Sequence, residues 1–333
     1  MKKKVALLTG GYSGEAVVSY ESVKTVYAHV DKSKYDVFVI DVRPDGWYYN
    51  IDDDHSYTIN LNDFSLLVPE GKIIFDVVLM CIHGTPGEDG KLQGYFDMLH
   101  IPYTTCSAAV SALTFNKRYT VAVVAFGGVS VAKSIHIFKD SEVSPQSIAS
   151  QLTLPLFIKP NNGGSSIGMS KVHTVDAIAD ALEKAFVEDD QVLVEEFIQG
   201  REFTIGVYKS GGVIKTLPIT EVISKNDFFD YEAKYEGKSE EITPAVVEES
   251  IAEQVRNTAK KIYALLNCSG VVRIDFIYNE AAGKPFMLEV NTVPGQSAAS
   301  LIPQQVAATG MRLQDFYSGL IEEALVSLPQ AQS

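Results

Sequence analysis

The stretch FMLEVNTVPG, residues 286–295, places Glu289 and Asn291 two residues apart near the end of a strand-like run. Side chains two apart on a strand share a face. The alternation predicts one apolar face of Phe286, Leu288 and Val290 and a second face of Met287, Glu289 and Asn291, with Pro294 and Gly295 ending the strand. In the preceding run, residues 271–278, Arg273 and Asp275 also share a face. If NEAAGK, residues 279–284, is the turn, two registers are open. One of them sets Asp275 directly opposite Glu289 and Arg273 opposite Asn291, with opposed side chains ~5 Å apart. Two carboxylates so placed repel unless a proton or a cation lies between them. Two chemistries fit. Oxygen-only donors suit Mg²⁺ or Mn²⁺, with phosphates filling the remaining positions. Alternatively the face is solvated and Arg273 neutralises both acids.

Three other stretches carry polar chemistry. In IKPNNGGSSIGMSKV, residues 158–172, Lys159 closes an apolar strand beside a loop of glycines and serines. Such a loop lets backbone N–H groups approach phosphate oxygens, and hydroxyls add donors. It lacks the spacing of a Walker A loop, and a plain surface hairpin fits the same residues. In LLTGGYSGE, residues 7–15, the G-x-G-x-x-G dinucleotide pattern is absent. Glu15 there suits a cationic group such as an amine better than a pyrophosphate. In CIHGTPGEDGKLQG, residues 81–94, His83 follows a buried strand at the edge where open α/β sheets place ligands. Lys117, and Lys234 with Tyr235 in a charged aromatic segment, gain meaning only if these stretches form one site.

The elements that position these residues alternate between strand and helix along the chain, the pattern of an α/β protein. Residues 5–8, 36–41 and 75–82 are near-continuous apolar runs, which predicts a parallel sheet covered on both faces. Residues 175–186 carry Val175, Ile178, Leu182 and Phe186 at helical spacing. Thr243 and Pro244 read as the cap and first turn of a helix that buries Ile251, Val255, Ile262 and Leu266. Phe316, Leu320, Ile321 and Leu325 mark a last helix. A length of 333 residues predicts two or three domains. The net charge of -14 excludes nucleic acid as the main partner. Cys81, Cys106 and Cys268 are odd in number and scattered, which suggests neither a disulfide framework nor a structural zinc site and fits a reducing compartment. No run approaches the ~20 apolar residues of a membrane span, and the apolar run after the first lysines is too short for a secretory signal. The expected location is the cytoplasm.

Taken in order, GGYSGE, HGTPGEDGKLQG, PYTTCSAAVSALTFNK, IKPNNGGSSIGMSKV, EEFIQGREFT, FDYEAKY, VVRIDF and LEVNTVPG resemble the D-alanine–D-alanine ligases, ATP-grasp enzymes of peptidoglycan synthesis. The resemblance runs from Val5 to about Asp315. It implies a mixed α/β, ATP-grasp fold of three domains: a Rossmann-like parallel-sheet domain over 1–104, a central subdomain with the phosphate loop over 105–194, and a C-terminal subdomain with lid and metal site over 195–333. ATP would lie between the last two.

The resemblance also implies roles. Lys117 and Lys159 would hold ATP phosphates, with Ser165 and Ser166 in the loop that closes over them. Glu195, Glu196, Phe197 and Ile198 would contact adenine, Glu202 the ribose, and Lys234 would join the nucleotide set from the lid. Asp275, Glu289 and Asn291 match ligands of Mg²⁺ or Mn²⁺, as two ions. Glu15 matches the partner of the first D-alanine's ammonium, with His83 nearby. Arg273 and the Gly295 N–H match the stabilisers of the tetrahedral intermediate, and Ser300 and Leu301 the grip on the second substrate's carboxylate. Ser165 and Tyr235 match a pair that joins phosphate loop to lid. Asn162, Gly163, Glu196, Gln296 and Ser297 depart from the family's more frequent residues. The implied partners are ATP and D-alanine in a homodimer, without nucleic acid or membrane. Two alternatives stand beside this: an ATP-grasp ligase that takes D-lactate or D-serine second, and a nucleotide-binding protein that has lost catalysis.

Overall fold

The strand Lys3–Gly10 is the hinge of the first sheet, and from Val5 onward every residue of it is buried. It pairs in parallel with Tyr35–Arg43 on one side and Val77–Met80 on the other. The computed structural model describes residues 2–52, 55–164, 167–224 and 239–327. Ser165, Ser166, Lys234 and Tyr235 lie outside the described residues. The expected parallel pairing holds for the three strands Lys3–Gly10, Tyr35–Arg43 and Val77–Met80, and the sheet extends past them. Beyond Tyr35–Arg43 the seven-stranded sheet continues antiparallel through Gly46–Asn50, Ser56–Asn60, Ser65–Val68 and Gly71–Ile74. These strands are short, and the first two carry aromatic residues. Trp47, Phe64, Phe75 and Phe96 are buried on them and beside them, and rings meet edge to face, as between Phe64 and Phe96 at 4.9 Å.

A four-stranded antiparallel sheet follows, in the order Ser170–Val172, Leu156–Pro160, Gln191–Glu196, Ser134–Phe138. Helices Pro145–Gln151 and Ile178–Glu188 cover one face of it through Ile148, Ile178, Leu182 and Ala185. The third sheet has six strands, with Arg201–Ser210 and Val271–Asn279 at its centre. On one face lie helices Glu249–Leu265, Ala108–Phe115 and Lys117–Phe126; on the other, Leu301–Ala308 and Leu313–Ser327.

Cores are shared across the boundaries expected at 104/105 and 194/195. Cys106, Val110, Val124 and Val129 join the core of the third sheet, not that of the four-stranded one. Gln191–Glu196 is one strand, so no boundary falls inside it. The last helices share a core with the first sheet, where Val5, Leu7 and Leu79 meet Val306, Phe316 and Ile321. A correction concerns Thr243. The helix begins at Glu249, because Ala245 donates its N–H to the Ile219 carbonyl (2.8 Å) and packs with Val247 on the core of the third sheet. The sheet edge takes these residues before a helix can.

The two large sheets meet at Gly270. Its φ is +66°, and a Cβ there would lie 1.9 Å from the Thr104 carbonyl oxygen. Ser269 fixes the same junction by donating its hydroxyl to the Thr105 carbonyl at 2.7 Å. Gly270→Ala is expected to lower stability by about 3 kcal/mol, through both the left-handed backbone and the backbone clash. Thermal unfolding measures this, and an unchanged midpoint would show that the junction yields.

Candidate active site

The terminal hairpin sets the first wall of the site. Arg273 pairs with Asn291 and Asp275 with Glu289, but Phe276 pairs with Met287. Leu288 is thus an extra residue, a β-bulge, and both registers open in the sequence are used, one on each side of it. The bulge corrects the expected faces. Met287 and Val290 both enter the core with Phe276 and Ile274, while Leu288 and Glu289 both line the cavity. Bulges re-aim side chains in this way and recur beside active sites.

On the cavity face Arg273 holds Asp275 with two parallel bonds, Nε to Oδ1 and Nη2 to Oδ2, each 2.9 Å. Asn291 Nδ2 donates to the same carboxylate at 3.3 Å, and Thr204 Oγ1 at 2.5 Å. Glu289 Oε1 lies 3.8 Å from Arg273 Nη2. Burial disfavours the guanidinium's charge, yet Asp275, Glu289 and Glu88 hold its pKa above the ordinary value. Thr204 was not legible as a site residue. Its only signal is the register that sets it opposite Asp275.

The second wall is the four-stranded sheet. Lys159 and Glu195 stand on neighbouring strands and meet at 2.5 Å, with side chains only 11% and 9% exposed. Lys117 opens the helix Lys117–Phe126, whose Asn116 cap accepts the Tyr119 N–H, and its ammonium donates to the Gly163 carbonyl at 2.6 Å. Asn161, fully buried, couples these two lysines. Its carbonyl accepts the Lys117 N–H (3.0 Å) and its side chain the Arg118 N–H (2.9 Å). Glu196 turns its side chain to the Thr153 N–H at 2.8 Å, and Phe197 donates its N–H to the Pro155 carbonyl. Glu195, Glu196, Phe197, Ile198 and Glu202 all line the same cavity.

The far end is built by the first sheet and the last helices. A Cβ at Gly84 would lie 2.5 Å from Glu15 Oε2, and one at Gly164 would lie 2.6 Å from Glu15 Oε1. The Glu15 carboxylate is therefore wedged between the loop after the first sheet and the glycine loop. His83 is buried, with Nε2 3.0 Å from Ser22 Oγ and Nδ1 3.7 Å from Glu88 Oε1. Gly295 packs on Ser300, where a Cβ would come within 2.7 Å of Oγ. Ser300 and Leu301 start the helix Leu301–Ala308 at the cavity, so its positive end faces inward. The cavity these walls enclose measures about 920 Å³. Every expected site residue among the described ones lines it. Gln305, which sequence did not reveal, fixes the helix by accepting the Gly206 N–H (2.9 Å) and donating to Thr204 and Thr220.

Two family models match the chain: the D-Ala D-Ala ligase N-terminus over residues 4–106 and the D-Ala D-Ala ligase C-terminus over residues 116–322. The chain belongs to the D-alanine–D-alanine ligase family. It is 45% identical over 322 residues to the D-alanine–D-alanine ligase of Phocaeicola vulgatus, covering 97% of this chain and 99% of that one. It is 44% identical to the ligase of Flavobacterium johnsoniae, with 97% and 99% covered. Among solved structures it is similar to the D-Ala:D-Ser ligase VanG of Enterococcus faecalis (TM-score 0.88, 31% identity, 97% and 100% covered). It is also similar to D-alanyl-alanine synthetase A of Vibrio cholerae (TM-score 0.86, 27% identity, 98% and 99% covered).

In a D-alanine–D-alanine ligase the hairpin is the expected cation site. Among the described residues no three His, Cys, Asp or Glu side chains form a cation cage. The residues here offer two carboxylates and an amide, gathered on one cavity face with Asp275 buried. That all-oxygen set fits Mg²⁺ or Mn²⁺. Thr204→Val is nearly isosteric and removes one charge-assisted donor from Asp275. It should cost about 1.5–3 kcal/mol of stability, read by chemical denaturation; no change would show that Asp275 is held without it.

Proposed function

We propose that the protein joins two D-alanines to D-alanyl-D-alanine at the expense of ATP, and that these cavity residues act in the roles the resemblance implies. What carries the reading is one cavity that gathers Lys117 and Lys159 on one wall, the Arg273 hairpin on another, and Glu15 and His83 at the end. Family membership supports the same activity, and a solved relative from Bacillus anthracis, 25% identical at TM-score 0.77, is described as complexed with ATP.

The nucleotide would lie between the four-stranded sheet and the hairpin of the third sheet, its phosphates against Lys117 and Lys159. Phosphoryl transfer depends mainly on positioning and charge neutralisation. Asp275, Glu289 and Asn291 would hold Mg²⁺ or Mn²⁺, whose charge offsets that of the phosphates. Glu15 would hold the first D-alanine's ammonium, so that its carboxylate attacks the γ-phosphorus, the bond to ADP breaks, and an acyl phosphate forms. The second amine then attacks the acyl carbon, phosphate leaves, and the amine loses a proton. Ser300 and Leu301 would receive the second carboxylate at the helix N-terminus. The tetrahedral oxyanion would sit between the Gly295 N–H and Arg273. Among the described residues the Arg273 Nη1 group has no hydrogen bond, since Nε and Nη2 take Asp275. Such donors are worth about 3 kcal/mol each.

The finer parts of the proposal have separate support. A cytoplasmic setting fits the free, buried Cys81, Cys106 and Cys268, and among the described residues no helix is long and apolar enough to cross a membrane. A homodimer is implied by the resemblance. A second reading, D-serine as second substrate, is favoured by the likeness to the Enterococcus faecalis ligase.

The test is ADP release with D-alanine alone, then with D-serine or D-lactate added, and mass analysis of the product. D-alanine alone should give the dipeptide. Preferential use of D-serine or D-lactate at neutral pH would refute the choice of second substrate, and absence of D-alanine-dependent ADP would refute the activity. Arg273→Lys keeps the charge beside Asp275 but loses the planar fork. Its turnover should fall about 100-fold with nucleotide affinity retained; near-normal turnover would remove Arg273 from the oxyanion.

A further inference from the structure

Gln296 directly follows Gly295, and it is buried, at 5% exposure. Its surroundings fix which way each hydrogen bond runs. The Pro294 carbonyl can only accept, so the Gln296 amide nitrogen faces it, at 3.3 Å. The amide oxygen then faces Tyr317, whose hydroxyl donates to it at 3.2 Å. Burial, with the Cys81 thiol nearby, pushes the Tyr317 pKa up, which keeps that hydroxyl protonated. The side chain thus ties the segment that carries Gly295 to the helix Leu313–Ser327.

The backbone of the same residue reaches the other way. The Gln296 N–H can only donate, and it does so to Ser22 Oγ at 3.1 Å. Ser22 is fully buried in the helix Ala16–His29 and has one hydroxyl hydrogen. Among the described residues its remaining partner is His83 Nε2, at 3.0 Å. Donating that hydrogen to Nε2 satisfies both groups and leaves the imidazole proton on Nδ1, which faces the Glu88 side of the cavity. Ser19 Oγ accepts the His83 backbone N–H at 3.0 Å and holds the residue in place.

We propose that Gln296 is a positioning residue: through Tyr317 it aims the Gly295 N–H, and through Ser22 it fixes His83 as the Nδ1–H tautomer. The proposal rests on the ligase reading for the meaning of the aim, but not for the tautomer.

Two measurements test it. In the full chain without ligand, ¹⁵N NMR of the His83 ring, assigned by difference against His83→Gln, should show the Nδ1–H form. Ser22→Ala should convert it, at least in part, to Nε2–H. An Nε2–H ring in the parent protein overturns the proposal, whatever the activity. In steady-state kinetics, Gln296→Met, which conserves volume, should lower kcat about tenfold, as a small misplacement of reacting groups does. KM for D-alanine should change less than about twofold. Tyr317→Phe should add little to that loss, because both substitutions cut one connection. Unchanged kcat, or losses that multiply in the double variant, overturn the proposal. If the parent protein turns over no D-alanine, the ligase reading fails by itself, and the NMR measurement still decides the tautomer.

Discussion

One extra residue in one strand decides what the cavity contains. Without the bulge at Leu288, the strand Lys284–Asn291 would keep a single alternation, and burying Met287 would bury Glu289 and Asn291 with it. With the bulge, Met287 and Val290 both reach the core of the third sheet while Glu289 and Asn291 reach the cavity. A strand with a side-chain period of two cannot otherwise satisfy an apolar core and a polar site on adjacent residues. The pairing of Asp275 with Glu289, the guanidinium between them, and the approach of Gly295 to Ser300 all follow from that local choice of register.

The protein carries a net charge of -14, yet its cavity holds Lys117, Lys159 and Arg273. Each side chain is steadied by an oxygen partner: the Gly163 carbonyl, the Glu195 carboxylate and the Asp275 carboxylate. Buried pairs of this kind are weak contributors to stability, because desolvation offsets their attraction. Their consequence is orientation. The charges are already aimed when a polyanion enters, and little reorganisation is left to be done in a water-poor site. Removing one partner alone would leave an uncompensated buried charge, which is why the acids of this cavity and its cations have to be considered together.

Much of this was legible in the sequence, and the failures share a cause. Runs such as VALL at residues 5–8 and FDVVLMCI announce buried parallel strands, and VVRIDF followed by LEVNTVPG announces the hairpin with its polar face. The short antiparallel strands between Gly46 and Ile74 were missed because each is only four or five residues long, too brief for a long alternation. The start of the helix at Glu249 was misplaced because Thr243 and Pro244 satisfy a local rule that a sheet carbonyl overrides. Thr204, Ser22, Asn161 and Gln305 escaped because each acts across a long sequence separation on a group already chosen. Their residue types are ordinary, and only the fold supplies the partner.

The cavity is bounded by elements from three different cores, and that sets which of its groups move together. The first sheet and the last helices share one core, so Glu15, His83 and Gly295 are referred to a common frame. The four-stranded sheet has a core of its own and carries Lys159. Lys117 belongs to the helices packed on the third sheet; Asn161 ties its backbone to the strand end beside Lys159, and Arg118 meets His136 of the four-stranded sheet at 3.2 Å. Asn161 is thus one buried determinant of the spacing of the two lysines. A change at Asn161 alters both lysines together, whereas a change within either core moves only one. A ligand that bridges them thus reads the relation between the two sheets, not the position of either.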